Sequence, residues 1–497
     1  MAQSDAPEAQ QSNSTSGVAW TVLARGASQV AQFVLLMIAT RFLSVADFGV
    51  FALFSTTAFG LAVFARAGWR ELIIASETEE RMAHANLLAI VAGSVTSLIS
   101  MLGSIGYGYL ADDKQGMVLM LMLSAWIMPA ALAAAQEGRL TVLNQVQRIG
   151  QIQTAAEVLG LAAGAVAFTS GAGLLSLAYS KLAYQLVAVG LLLLSSRWCP
   201  LVKFKREVCL EIVKFSKDVV ATSMTNFGRN NVALYIVGAF AGPVEVGLFR
   251  AGIRLSNAMA EVIAEPARIY AWSVLREANR KGGTAGIRQA MGPFSNTVLL
   301  LGAPPLIALA ACSESLITVV LGAKWSAAAP VAALVAISRA LGLLRCTYTP
   351  VLAMTNKMAL LPKITLIGTV VDLVSLAIFA PFGALWIAVS RVITSVVSMP
   401  LQFYGWRQGA GIDWWHDVHS GTVPIFVAVS AMAAACFGVG WALSDVHPAW
   451  TLASQIAVGI VVYFPLIFIL APSLSKGILN AVLKRKGPAA AVSSAST

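Results

Sequence analysis

Residues 248–269 read LFRAGIRLSNAMAEVIAEPARI. The stretch is long and apolar enough to cross about 30 Å of hydrocarbon, yet it carries Arg250, Arg254, Asn257, Glu261, Glu265 and Arg268. On a helix with about 100° between successive residues and Arg250 at the origin, all six fall between about −20° and about 60°. A membrane span with one polar stripe has to turn that stripe toward protein or water. The rest of the sequence decides what it serves.

Hydrophobic residues make up 58% of the 497-residue chain and charged residues only 11%, a balance that belongs to multi-pass membrane proteins rather than soluble domains. Residues 1–16 contain no Lys or Arg, so they lack the basic region that opens a signal peptide and are expected to stay as a flexible cytoplasmic tail. The five cysteines show no CxxC spacing, which gives no sign of a zinc site or a disulfide framework. No cofactor or metal is expected. The net charge of +11 comes from basic residues spread over short loops, not from a basic patch with interleaved aromatics, so nucleic acid is not an expected partner.

Apolar runs of spanning length are centred near residues 29, 57, 97, 126, 161 and 184, then near 229, 258, 302, 336, 372, 393, 432 and 461. That predicts an all-α integral membrane protein with about fourteen transmembrane helices; a count of twelve or thirteen stays open. Fourteen crossings with a cytoplasmic N-terminus place 22 Lys and Arg on the cytoplasmic side against Arg41, Lys114 and Lys324 on the other. Such a bias is what the positive-inside rule demands. Nine basic residues remain inside the spans.

The most basic inter-helix segment, residues 195–217, stands between the sixth and seventh spans. It predicts an N-lobe over 17–194, a second lobe over 218–406, two further helices over 407–475 and a basic cytoplasmic tail over 476–497. FLSVADFGVFA from Phe42 aligns with FAGPVEVGLFR from Phe240, sharing Phe42/Phe240, Asp47/Glu245, Gly49/Gly247 and Phe51/Phe249. The offset contains six helices, so the lobes are read as parallel six-helix repeats about an axis along the membrane normal.

The opening WTVLARGASQVAQFVLLMIATRFLSVADFGVFAL, the acidic-x-Gly-x-Phe turn of both lobes, and ITVVLGAKWSAAAPVAALVAIS at 317–338 resemble the polysaccharide-transport family of Wzx-like flippases, within the multidrug/oligosaccharidyl-lipid/polysaccharide exporter superfamily. The resemblance covers about residues 17–475. It implies a bacterial cytoplasmic membrane protein that turns an undecaprenyl-pyrophosphate-linked oligosaccharide from the inner to the outer leaflet, for surface or extracellular polysaccharide biosynthesis. Its implied partners are that lipid-linked oligosaccharide and membrane lipids, with polysaccharide polymerase and export machinery as further candidates. One departure is GRNNVALYIVG at 228–238, where such proteins commonly carry an aspartate; Asn230 and Asn231 put an ion site there in doubt.

Polar stripes recur on other spans. Thr21, Arg25, Ser28, Gln29 and Gln32 share one face of the first, and Thr222, Asn226, Arg229 and Asn230 one face of the seventh. A charge in hydrocarbon costs at least about 2.5 kcal/mol, so such faces line protein or a hydrated cavity. If the stripes meet between the lobes, they make a cationic cleft suited to pyrophosphate, because arginine offers paired planar donors. The substrate-binding candidates are Arg25, Gln29, Gln32, Asn226, Arg229, Arg250, Arg254 and Asn257. The like-charge pair Glu261 and Glu265, together with Asp372 in the eleventh span, are the ion-coupling candidates.

Structural uses compete with each of these. Arg250 and Arg268 lie near helix ends, where snorkelling suffices; Asp372 can instead pair with Arg339 or Arg391, and Lys181 with Glu157. WWHDVH at 414–419 reads as an interfacial belt rather than a metal site. No GxxxxGK[ST] stretch is present, so an ion gradient or substrate supply would drive transport. A multidrug or cation antiporter is the alternative within the superfamily and needs acidic cavity residues. A membrane-embedded polymerase or ligase is the enzyme alternative, disfavoured by short outer loops.

Overall fold

The computed structural model describes residues 26, 29–66, 68–200, 205–413 and 418–472, the side chains of Glu265, His419 and Ser420 excepted. Arg25, Lys203, residues 414–417, the Glu265 carboxylate and both expected tails therefore lie outside the described residues. Every regular element among those described is helical. The chain is an all-α membrane protein.

Eleven helices among the described residues are long and apolar enough to cross a membrane. One of them, α9 (Arg206–Ala311), has 106 residues, and its helical geometry fails at Gly242 and at Gly282–Gly283. Gly242 and Gly283 sit at φ 83° and 56°, conformations that side-chain-bearing residues resist, and Pro243 follows the first break. The breaks divide α9 into segments 206–241, 243–281 and 284–311, each of spanning length. With α9 divided, the eleven become thirteen, and the shorter apolar helix α1 (Gln29–Phe42) stands where the first crossing was expected.

Two compact units part between Tyr235 and Ile236, inside the first segment of α9 rather than in the linker. In the first unit α1 is followed by α2 (Val45–Arg66), α3 (Trp69–Ala75), α4 (Glu79–Ala111), α5 (Lys114–Ala125), α6 (Ile127–Val142), α7 (Val146–Thr169) and α8 (Leu175–Ser196). Helix starts are fixed by short polar side chains. Ser44 and Asp47 form a reciprocal cap on α2, Ser44 Oγ donating to Asp47 Oδ2 at 2.6 Å and Asp47 N donating to Ser44 Oγ at 3.1 Å. Thr78 caps α4 and Asp113 caps α5.

The linker belongs to this unit because its ends are held there. Ser196 Oγ donates to Gln136 Oε1 at 2.6 Å, Lys205 N donates to His84 Nε2 at 3.2 Å, and Arg139 lies 5.2 Å over the Trp198 ring. Gln136 and His84 are fully buried, and a buried polar group without a partner is costly, so these bonds pin residues 196 and 205 to α6 and α4. Ion pairs Arg139–Glu79 and Lys205–Glu80 reinforce the contact.

The second unit holds the rest of α9, then α10 (Ser313–Val320), α11 (Ala329–Leu341), α12 (Tyr348–Met354), α13 (Leu360–Phe379), α14 (Ala384–Ala410), α15 (His419–Ala442) and α16 (Pro448–Leu470). Three short 3-10 turns punctuate it, among them Leu343–Thr347. Helices α15 and α16, which the repeat leaves out, are part of this unit. Their buried Met432, Cys436 and Tyr463 pack with Leu300 of α9, and the Tyr463 hydroxyl donates to the Leu300 carbonyl at 2.8 Å.

Candidate functional site

The polar stripe of residues 248–269 lies on the middle segment of α9. On its apolar side Ala251, Leu255 and Ala260 are at most 7% exposed, while Met259 and Val262 are exposed. Gly252 lets this segment approach α11 closely, since a Cβ there would stand 3.0 Å from Ala332 N. One turn further on, buried Ser256 donates from Oγ to the Ala332 carbonyl at 2.8 Å. That crossing sets the height at which the next polar residue, Asn257, meets its neighbour.

The neighbour is Arg339 on α11, whose Nε donates to Asn257 Oδ1 at 3.0 Å. Beyond it the 3-10 turn Leu343–Thr347 swings Arg345 toward α14, and Arg345 Nη2 donates to Ser395 Oγ at 3.3 Å. The Ser395 hydroxyl in turn lies 2.8 Å from that of Ser338, which donates to the Arg391 carbonyl at 3.1 Å. Arg391 Nη1 reaches both carboxylate oxygens of Asp372 on α13, at 2.8 and 2.6 Å. Three arginines from three elements thus converge around one aspartate and a row of neutral oxygens, with the charges of Arg345, Arg391 and Glu261 all bearing on Arg339.

The balance of charge gives the cluster its character. Asp372 neutralises Arg391, and both side chains are largely covered, at 14% and 25% exposure. Arg339 and Arg345 are exposed at the surface of the unit and donate to an amide and a hydroxyl. An exposed cation in a spanning segment costs several kcal/mol against lipid and very little in a water-filled passage, so this face is suited to line such a passage. Two guanidinium groups there present planar donors matched to phosphate or carboxylate oxygens, while Asn257, Ser338 and Ser395 offer the neutral donors and acceptors that sugar hydroxyls use.

The expected site residues divide between the units. Gln29 is exposed and Gln32 half-buried on α1, and Asn226 and Arg229 are exposed on α9 and bonded to each other at 3.3 Å, all in the first unit. Arg250, Arg254, Asn257, Glu261, Glu265 and Asp372 belong to the second unit. There Arg250, Arg254 and Asn257 are half-buried and Glu261 is exposed. Of the two partners weighed for Asp372, the structure supplies Arg391. The first unit pairs Glu137 with Arg70 at 3.6 Å and with Gln153 at 2.9 Å.

Sequence reasoning weighed Arg339 and Arg391 only as partners for Asp372, and left out Arg345, Ser338 and Ser395. The available signal was three arginines, Arg339 and Arg345 in one apolar span and Arg391 in another, with Asp372 in the span between them. The acidic-x-Gly-x-Phe turn has structural bonds in both units: the Asp47 carboxylate accepts from Ser44 N and Oγ at the start of its own helix, and Glu245 accepts from Ala384 N at 2.7 Å and so caps α14.

Comparison with known proteins agrees with this architecture. A family model described as polysaccharide biosynthesis protein matches residues 38–330. The succinoglycan biosynthesis transport protein ExoT of Rhizobium meliloti (strain 1021) is 23% identical over 399 residues, 77% of this chain and 78% of that protein. Among solved structures, the lipid II flippase MurJ in an inward closed conformation superposes with a TM-score of 0.70 at 14% identity, covering 91% of this chain and 99% of that one. An inward-facing multidrug resistance MATE family transporter of the MOP superfamily superposes with a TM-score of 0.56, also at 14% identity, over 78% of this chain and 98% of that one.

Proposed function

Because the chain belongs to the polysaccharide biosynthesis protein family, we propose that it turns a lipid-linked oligosaccharide, carried on undecaprenyl pyrophosphate, from the inner to the outer leaflet of a bacterial cytoplasmic membrane. The observation that carries this reading is the excess of arginine over carboxylate in this cluster, where Asp372 binds Arg391 and the hydrogen bonds of Arg339 and Arg345 go to neutral acceptors. A site for organic cations needs the reverse balance. The curated relative is a succinoglycan biosynthesis transport protein, and the fold is shared with a lipid II flippase, which fits a substrate made of a lipid, a phosphate bridge and sugars.

In this reading Arg25, Arg229, Arg250, Arg254, Arg339 and Arg345 are the candidates that hold the pyrophosphate. Gln29, Gln32, Asn226 and Asn257 bond sugar hydroxyls. The polyprenyl tail stays in the bilayer, and only the head group leaves it. Alternating access of two lobes carries the head group across, with Glu261 and Glu265 as the groups that take up a coupling ion or proton. Asp372 orients Arg391 in the resting cluster and is available to coupling only when that pair opens. Both termini are cytoplasmic, and the product is handed to polysaccharide polymerase and export machinery.

The test is transport measured beside abundance. Arg25→Ala, Arg254→Ala and Arg345→Ala each lower export by roughly 10- to 100-fold, the worth of a charge-assisted hydrogen bond of about 1.5–3 kcal/mol, while membrane abundance stays within about twofold of the parent. Parallel loss of export and protein would make the arginines structural ties and remove the reading.

A further inference from the structure

The break at Gly282–Gly283 does more than separate two crossings. Residues of the middle and last segments of α9 on either side of this elbow line a cleft of about 1040 Å³. The elbow is tight at its floor: Gly286 lies so close to the Ala278 carbonyl that any side chain at 286 would collide with it. The opposite end of the cleft is open and apolar, with Ile269, Trp272 and Pro293 in its wall. Ile269 is 68% exposed, and Val262 two turns away is 71% exposed, as expected of side chains that meet acyl chains.

The floor end is cationic. Arg276, Arg280 and Lys281 line it together with a single carboxylate, Glu277. Glu277 Oε1 accepts from Arg280 Nη2 at 2.9 Å and lies 3.4 Å from Lys281 Nζ. Arg276 is exposed and takes part in neither pair, so the cleft keeps a surplus of two positive charges. A tryptophan stands between the two regions, the position that amphipathic aromatics take at the head-group level of a bilayer. From Trp272 to Lys281 the helix rises about 13 Å, enough to separate acyl chains from a head group.

An amphipathic cleft between two membrane helices, apolar toward the bilayer and basic toward the water, is complementary to an anionic lipid. We propose that the α9 elbow binds an anionic phospholipid of the leaflet it opens to, with its phosphate on Arg276, Arg280 and Lys281 and its acyl chains along Trp272 and Ile269. The binding is independent of the transported substrate and of the flippase reading. Its volume is at the upper end of ordinary ligand pockets, which hold roughly 300–1,000 Å³. Occupancy fills the cleft beside the glycine pair that links two crossings, so the lipid braces the elbow.

The experiment uses the full-length protein in nanodiscs that contain a trace of spin-labelled phosphatidylglycerol in phosphatidylcholine, with motional immobilisation of the label as readout. The parent immobilises phosphatidylglycerol in preference to spin-labelled phosphatidylcholine. Each of Arg276→Ala, Arg280→Ala and Lys281→Ala weakens that preference by about fivefold, the worth of one basic residue near an anionic surface. Ser273→Trp, which fills the cleft and keeps every charge, abolishes it. Arg148→Ala and Lys357→Ala, which remove charge from positions outside the cleft, leave it unchanged.

Equal loss in the Arg148 and Lys357 variants would mean diffuse surface attraction and overturn the proposal. So would retention of the preference in Ser273→Trp. Displacement of the labelled lipid by millimolar inorganic pyrophosphate would replace the phospholipid by a soluble phosphate ligand, and would equally overturn it.

Discussion

Asp372 gives both carboxylate oxygens to Arg391, and the consequence can be measured as stability. Asp372→Ala leaves a mostly covered guanidinium without its counter-charge. Breaking a buried pair costs about 3–5 kcal/mol, and with a quarter of the Arg391 side chain exposed a value on the order of 2 kcal/mol is expected. The double variant Asp372→Ala/Arg391→Ala recovers at least half of that loss in the thermal unfolding of purified protein. Additive losses would show that the pair contributes no coupling. The partner of Asp372 was not legible in the sequence: Arg339 and Arg391 both lay in nearby spans, and the choice depends on the packing of α13 against α14. By contrast the Ser44–Asp47 cap was accessible to local reading, because its two residues are three apart.

At the scale of one element, the middle segment of α9 has a polar side that meets Arg339 and an apolar side that packs or meets lipid. In a cysteine-free background, Asn257→Cys and Glu261→Cys are expected to react with a small water-soluble thiol reagent, because thiolate forms where water reaches. Met259→Cys and Ile263→Cys, about 180° and 220° from Arg250, should stay unreactive although Met259 is 37% exposed; exposure on that side means lipid. A head-group mimic containing pyrophosphate protects the two reactive positions. Equal inertness at all four would seal the stripe against neighbouring helices. This face was legible in advance because helical periodicity is local, whereas the cluster it joins was not. Arg345 reaches Ser395 across 50 residues of sequence, through a 3-10 turn that no hydropathy pattern announces.

For the whole molecule, hydropathy located the crossings well. Each of the later thirteen expected centres falls on a spanning helix or on a segment of α9, since spanning length is a one-dimensional property. The division of the chain was less legible. The linker looked like a boundary because it is basic and long, yet the bonds of Gln136 and His84 hold it in the first unit, and the compact units part at Tyr235. Orientation follows from charge: reporter fusions at Lys203 and Lys486 should read cytoplasmic and one at Lys324 should read outside, while an outside reading at Lys203 would reverse the topology. The most direct test of the central claim is flipping itself. Purified protein is reconstituted into liposomes with a fluorescent oligosaccharide on undecaprenyl pyrophosphate, and the fraction of label open to a membrane-impermeant quencher is followed with time. The account predicts that the protected inner pool becomes accessible at a rate proportional to the amount of protein, and that Arg254→Ala and Arg345→Ala slow it by at least about tenfold. A protected pool that stays constant in the presence of abundant folded protein, with or without an ion gradient, would contradict it.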